Sequence, residues 1–324
     1  MSIEKTWIAA VLRRTVDVAE DIRLFEIEPE GGAGPYASGS HIDVEVLIED
    51  RPATRSYSLV GSAPLDGAWR IAVKRVPQSR GGSQRMWSLH AGARLKITRP
   101  DSHFELRAGL PGYLLLAGGV GVTPIVGMAQ HLQKAGANVR TLYAVRSRAQ
   151  AAFLDTLSEP GCGLALHVDE EGAVLDLAAE IAALHPQGEM YVCGPVGLME
   201  ATRRLWNAAG RPAERLRMET FGSGGRHPAQ PFVVTLADRN LEIQVPINRS
   251  LLETLTDAGV DMASDCRRGE CGLCVVQVTG LEGDIDHRDL FLSDRQKAEN
   301  SQICACVSRV IGSVTLDTGH RAHL

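Results

Sequence analysis

Short stretches in which polar and apolar positions trade places, or in which β-branched residues cluster, fill the first hundred residues; 42–48, 55–60 and 69–73 are examples, separated by turn-rich breaks. That two-residue period with frequent turns predicts an all-β, antiparallel barrel from Trp7 to about Leu106. From Gly112 the pattern changes. Apolar strand-like runs at 113–117, 139–145, 164–168 and 189–192 alternate with helical segments at 125–135, 174–184 and 198–208, which predicts a doubly wound parallel sheet. The glycines, prolines and polar residues of 222–231 read as an interdomain linker. Beyond it come two strand-like runs, 232–236 and 241–245, and a helix over 250–258 with Asn248 or Ser250 as its N-cap. The expected organisation is multi-domain: a barrel over 1–107, an α/β domain over 108–224 and a smaller α+β domain over 225–324.

Composition narrows the classes. A chain of 324 residues suits two or three domains, and 44% hydrophobic with 23% charged residues lies in the ordinary globular range, suggesting neither wholesale disorder nor a membrane protein. The first residues lack the apolar core of a secretory signal, and the longest apolar run, 113–122, is broken by glycines and too short to span a bilayer. A cytoplasmic location is therefore expected. Net charge is -5, and 14 acidic against 10 basic residues from Arg226 onward place -4 of it in the last hundred residues. With no basic patch, nucleic-acid binding lacks electrostatic support, whereas an acidic end either steers a basic protein partner or is simply a solvated surface.

Seven cysteines without an export signal point to thiols or metal ligands rather than disulfides. Cys266, Cys271 and Cys274 have the spacing C-x4-C-x2-C, and a further cysteine follows about 30 residues on, which is the plant-type arrangement for a [2Fe-2S] cluster. Gly269 and Gly272 permit the curled loop whose N–H groups face the sulfurs. Structural zinc sites usually pair two short C-x2-4-C steps, and only one is present. Cys304 and Cys306 both qualify as the fourth ligand by spacing. Cys162, between two glycines, reads as a loop or core thiol.

Two glycine turns carry the nucleotide signal. Gly118-Gly119-Val120-Gly121-Val122-Thr123-Pro124 leaves an apolar strand and opens a helix, where a backbone approaches pyrophosphate and a helix N-terminus favours negative charge. Cys193-Gly194-Pro195 makes a second strand-to-helix turn at the same sheet edge. In the barrel, alternation sends Arg55, Tyr57 and Leu59 to one face of a strand and Ser56 and Ser58 to the other, which suits a flavin lying along it. Arg80-Gly81-Gly82-Ser83 offers N–H groups and a hydroxyl to a phosphate.

These motifs, with Glu219-Thr220-Phe221, and His287-Arg288-Asp289 before Cys306-Val307-Ser308-Arg309, resemble the phthalate dioxygenase reductase family, including vanillate demethylase reductases, over essentially the whole chain. The resemblance implies a flavin barrel, a nucleotide domain and a C-terminal β-grasp ferredoxin domain. It implies FMN held by Arg55, Ser56, Tyr57, Ser58, Ala72, Val73, Lys74, Gly81, Gly82 and Ser83. Phe221 and Ser223 are implied at the isoalloxazine, and Thr123, Cys193 and Phe221 become the candidate catalytic residues. NADH is implied at Gly118, Gly119, Gly121, Pro124, Gly194 and Pro195, with Arg146 and Ser147 toward the ribose, where an arginine also suits the 2′-phosphate of NADPH. The residues after Cys306 resemble the segment after the last ferredoxin ligand, so Cys306 is implied as the fourth ligand and Cys304 as a small buried residue. The segment around 279–286 is longer than the family pattern. The implied function is an NADH-dependent reductase that feeds single electrons to a Rieske-type oxygenase and acts as a monomer. A reductase for a cytochrome or diiron hydroxylase, or a redox carrier that has lost hydride transfer, are the rivals.

Overall fold

The structure is a computed structural model in which residues 6–77, 80–172, 174–221 and 225–319 are described. Alternation in the N-terminal sequence becomes six strands: β1 (Trp7–Ala19), β2 (Ile22–Pro29), β3 (His41–Ile48), β4 (Arg51–Ser58), β5 (Trp69–Lys74) and β6 (Arg94–Thr98), with a short helix α1 (Gly82–Trp87) before the last. Their order is β4-β3-β6-β1-β2-β5, all neighbours antiparallel. A bridge from Leu59 to Ile71 joins the two ends of this order, so the sheet closes on itself. Phe25, Ile27, Ile42, Val44, Ile71 and Ile97 fill the interior, as inward positions of a small barrel must.

The α/β region follows as β7 (Tyr113–Gly118), α2 (Val122–Lys134), β8 (Val139–Val145), α3 (Leu154–Leu157), β9 (Leu164–Val168), α4 (Leu177–Ala183), β10 (Glu189–Cys193), α5 (Val196–Ala208) and β11 (Leu216–Glu219). The sheet is parallel, in the order β11-β10-β7-β8-β9. Every residue of β7 and β10 is buried, and apart from Glu189 they form the continuous apolar runs expected of strands covered on both faces. The helix expected over 174–184 begins only at Leu177, because Asp176 accepts the Ala179 N–H at 3.0 Å and fixes the N-cap there. β11 has no counterpart in the sequence expectations; Leu216-Arg217-Met218-Glu219 does alternate, but four residues are too short a run for the period to stand out.

Barrel and parallel sheet belong to one compact unit, residues 5–76 and 82–219; the other unit comprises 1–4, 77–81 and 220–324. Within the first unit α2 lies against the barrel. Gly127 has no Cβ because one would collide with the Gly61 carbonyl, its own carbonyl accepts Ser38 Oγ at 3.2 Å, and Gln130 Oε1 accepts the Ser62 N–H at 3.2 Å.

The second unit contains β12 (Phe232–Leu236), β13 (Leu241–Val245), α6 (Leu251–Asp257), β14 (Val275–Asp286), α7 (Asp294–Glu299), β15 (Gln302–Cys304) and β16 (Arg309–Asp317). Its mixed sheet runs β13-β12-β16-β14-β15, with β12 and β16 parallel and the other neighbours antiparallel. Of the two expected N-caps it is Ser250 that serves, in a capping box with Glu253. The long 279–286 segment is accounted for: β14 pairs with β16 from Gln277 to Asp286, with a register shift between Val278 and Gly280. The linker expected over 222–231 is not free throughout. Arg226 N–H donates to Asp286 Oδ1 at 2.8 Å, and Arg288 and Arg309 donate to the carbonyls of His227 and Gln230. Buried cations on the sheet thus take up carbonyls that polar composition alone leaves to water.

Candidate functional site

The nucleotide motifs occupy the point where the parallel sheet changes winding direction: from β7 the chain moves to β8 and β9 on one side, then returns to β10 and β11 on the other. Open α/β sheets bind ligands at the carboxyl ends of strands at such a point. The two expected glycine turns meet there. A Cβ on Gly118 would stand 2.6 Å from Pro195 Cδ, one on Gly194 3.1 Å from Gly118 Cα, and one on Gly121 would collide with the Cys193 carbonyl. Only glycine admits this approach, and it places the start of α2 beside the end of β10. Cys193 is fully buried, and Thr123 is buried with its hydroxyl donating to the Val120 carbonyl at 3.1 Å. Pro124 is buried in the first turn of α2, where its missing N–H costs nothing. Past β8, Arg146 is exposed and its carbonyl accepts the Glu170 N–H at 3.0 Å, while Ser147 caps the next turn. Three carboxylates, Asp169, Glu170 and Glu171, follow β9 at the same edge, and Glu171 takes Arg148 at 2.9 Å.

The turn at 119–121 also approaches β5, which carries Ala72, Val73 and Lys74. Ala72 and Val73 are buried, and Lys74 Nζ pairs with Asp21 at 3.1 Å. On β4 the alternation holds: Tyr57 packs against the barrel core, and burial pushes its phenol upward, while Ser56 Oγ donates to Asp43 on β3. Gly82 lies under the Arg55 side chain, since a Cβ there would be 2.6 Å from Nε. Ser83 Oγ accepts the Val76 N–H at 3.3 Å. Arg80 and Gly81 belong to the other unit, as does Phe221. Ser223 lies outside the described residues.

One contact at this site has no sequence precedent. Ser58 Oγ, at the end of β4, donates to Glu219 Oε2 at 3.0 Å, and Glu219 is a fully buried carboxylate ending β11. Glu219 was visible as part of a motif but not as a site residue, because its partner comes from a different domain fold.

In the second unit Cys274 meets both Cys304 and Cys306, while Cys266 stands beside Cys271 in the loop. Cys274 Sγ and Cys306 Sγ are 3.1 Å apart. Cys266 Sγ accepts N–H groups from Arg268, Glu270 and Cys271 at 3.4, 3.5 and 3.4 Å. Among the described residues no group of three or more His, Cys, Asp and Glu side chains is arranged to hold a single metal ion. Packed this closely the thiols cannot all ionise. Hydrogen bonds from Cys304 and Cys306 hold Cys274 down to about 4, and those neighbours are pushed up. Amide donors aimed at the Cys266 sulfur favour the thiolate form that a cluster binds. Cys304 is a core residue on β15, opposite Val275, and Cys162 is likewise buried.

Behind the loop, Asp289 is fully buried and accepts the Leu292 N–H at 2.8 Å and Ser308 Oγ at 3.2 Å. Burial alone would raise its pKa, but His287, the Leu292 N–H and Lys297 together hold it below the usual range. The Asp289–Ser308 bond explains why those two segments share a motif: it fixes the turn after Cys306 against the chain that supports the cluster loop. Glu270, inside that loop, accepts the Thr220 N–H at 2.9 Å, a tether that no sequence signal announces.

Residues 9–106 match the Oxidoreductase FAD-binding domain and 234–310 the 2Fe-2S iron-sulfur cluster binding domain. The chain is 37% identical over 298 residues to phenoxybenzoate dioxygenase subunit beta of Ectopseudomonas oleovorans, covering 90% of each. The solved structure of phthalate dioxygenase reductase, described as modular for electron transfer from pyridine nucleotides to [2Fe-2S], superposes with a TM-score of 0.75 at 30% identity over 96% of this chain and 98% of that one. The chain belongs to the phthalate dioxygenase reductase family. It is a flavin- and nicotinamide-nucleotide-dependent oxidoreductase with a [2Fe-2S] cluster. Another relative, tetrachlorobenzoquinone reductase of Sphingobium chlorophenolicum, is 37% identical over 303 residues, covering 90% of this chain and 91% of that one. The family expectation of a barrel, a parallel sheet and a mixed-sheet ferredoxin fold holds in the strand orders above. Among the described residues no helix is long and apolar enough to cross a membrane.

Proposed function

We propose that this chain is the NADH-dependent reductase component of a Rieske-type oxygenase system, with FMN as its flavin and Cys266, Cys271, Cys274 and Cys306 as cluster ligands. The carrying observation is the convergence of the 118–124 and 193–195 turns beside β5 in a chain that also holds the paired thiols. When bound, the flavin accepts a hydride from the nicotinamide and the cluster passes electrons on singly. The protein's own part is positional. Gly118, Gly121 and Gly194 let backbone approach the pyrophosphate, buried Thr123 and Cys193 line the crevice floor, and the Ser58–Glu219 bond locks the flavin strand to the last strand of the nucleotide sheet. No general acid or base is needed.

NADH rather than NADPH is supported by Asp169, Glu170 and Glu171 beside Arg146, since carboxylates repel a 2′-phosphate and accept from a 2′-hydroxyl. A Rieske acceptor is supported by direction: plant-type clusters lie near about -400 mV and Rieske centres roughly between -150 and +300 mV. A monomer in the reducing cytoplasm fits seven cysteines without a disulfide. The equal identity to a benzoquinone reductase favours a second reading, in which a small quinone is the acceptor. Acid release of the flavin, with kcat/KM for both nucleotides, tests the proposal. FMN and an NADH preference of about tenfold or more are expected; FAD or an NADPH preference contradicts it.

A further inference from the structure

Glu270 sits inside the cluster loop, immediately before Cys271, and both of its carboxylate oxygens are engaged. Oε2 faces the Arg268 guanidinium at 3.5 Å, and Oε1 accepts the Thr220 N–H at 2.9 Å. Thr220 and Arg268 are buried, and the Glu270 side chain is 20% exposed. A hydrogen bond to a charged acceptor is strong in such shielded surroundings, and a buried N–H that loses its acceptor is costly. The carboxylate is therefore held against the backbone at residue 220 and is not a solvated surface charge.

The loop around Glu270 has a fixed shape. N–H groups of Arg268, Glu270 and Cys271 face Cys266 Sγ, and the Gly269 carbonyl accepts the N–H groups of Leu290 and Phe291 at 2.9 and 3.2 Å. Gly269 adopts φ 79°, a backbone conformation that favours glycine. From this fixed loop Glu270 reaches back to Thr220, and the next residue is Phe221, which the family resemblance implies at the isoalloxazine. Farther along, the Arg226 N–H donates to Asp286 Oδ1 at 2.8 Å, and a Cβ on Gly225 would collide with the Asp286 and Arg288 side chains. The chain is thus fastened to the cluster-bearing unit on both sides of Phe221, and the fastening before it is the Glu270 carboxylate.

We infer that Glu270 is a positioning residue for electron transfer from flavin to cluster, acting by tying the cluster loop to the backbone just ahead of Phe221. This rests on the reductase reading above, with Phe221 at the flavin and Cys271 as a cluster ligand. In the step concerned, NADH gives the flavin a hydride and leaves as NAD+. One electron then passes to the cluster and takes one ferric iron to ferrous, while the proton and the second electron stay on the flavin. Glu270 accepts neither proton nor electron; it fixes where the loop stands, and displacement of a positioned group by about 1 Å can cost on the order of 10²-fold in rate. Such a role depends on the reach of the side chain and not on its charge.

Two substitutions separate reach from charge. Glu270→Asp keeps the charge and withdraws the acceptor by one methylene, whereas Glu270→Gln keeps an acceptor at the same reach and drops the charge. Anaerobic holoprotein is mixed with NADH, flavin bleaching is followed by stopped flow, and the reduced cluster is followed by freeze-quenched EPR. Flavin bleaching is expected at the wild-type rate in both variants. In Glu270→Asp the delay between flavin bleaching and cluster reduction should lengthen about tenfold, with the oxidised cluster spectrum and the cluster midpoint potential unchanged. Glu270→Gln should keep the wild-type delay, and Glu270→Ala, which removes the acceptor altogether, should behave as Glu270→Asp. An unchanged delay in Glu270→Asp and Glu270→Ala, a delay in Glu270→Gln as long as theirs, or a slowing accompanied by a shifted midpoint potential overturns the positioning role. A wild-type protein whose flavin bleaches with NADH while its cluster stays oxidised overturns the reductase reading itself.

Discussion

Ser58 and Glu219 are 161 residues apart in sequence and meet in one hydrogen bond. Because Glu219 is fully buried, its carboxylate needs such donors. Ser58→Ala removes one and frees the end of β4, and displacement of a positioned group by about 1 Å can cost on the order of 10²-fold in rate. Flavin reduction by NADH should therefore slow about 10- to 100-fold in stopped-flow measurement, with the iron–sulfur absorbance unaltered. An unchanged rate would make the bond merely structural. The cysteines admit an equally local test. Cys306 contacts Cys274 at 3.1 Å from the turn that Ser308 and Asp289 hold, whereas Cys304 lies on β15; both are buried and both hydrogen-bond Cys274. Cys306→Ser should abolish the normal cluster spectrum and Cys304→Ser should leave it nearly intact; the reverse would exchange their roles.

At the scale of elements, α2 starts where it does because Gly121 lets it pass the Cys193 carbonyl. Gly121→Ala forces α2 or β10 to shift, with a stability loss of about 1–3 kcal/mol typical of overpacking. The accompanying expectation is a raised KM for NADH with normal flavin and cluster content, and an unchanged KM would show that the crevice lies elsewhere. Elements with a clean pattern were visible in sequence: β7 as an unbroken apolar run, β10 as an apolar run after Glu189, β12 and β13 as short strands. β11 was not, since only Glu219 of its four residues is fully buried and a buried carboxylate looks like a surface one until its partner is known. The linker was overestimated for a related reason: Arg226, His227 and Gln230 look solvated, and only the folded sheet shows Asp286, Arg288 and Arg309 binding their backbone.

Across the whole molecule, spacing and glycine pattern were enough to assign the three folds and the cluster type, because ligand spacing and strand-to-helix turns are local in sequence. What sequence could not supply were long-range pairings between folds or across a sheet: Arg55 over Gly82, Ser58 with Glu219, Asp289 with Ser308 and Glu270 with Thr220. The sign of the surface charge was anticipated, but not its size, since four cations withdraw into the second unit. The claim that one chain carries electrons from nicotinamide through flavin to the cluster is tested most directly by anaerobic titration of the holoprotein with NADH. Flavin and iron–sulfur bands should both bleach, with about 1.5 equivalents of NADH consumed per chain, two electrons residing on the flavin and one on the cluster. Flavin bleaching that stops at about one equivalent with the iron–sulfur band unchanged would contradict it.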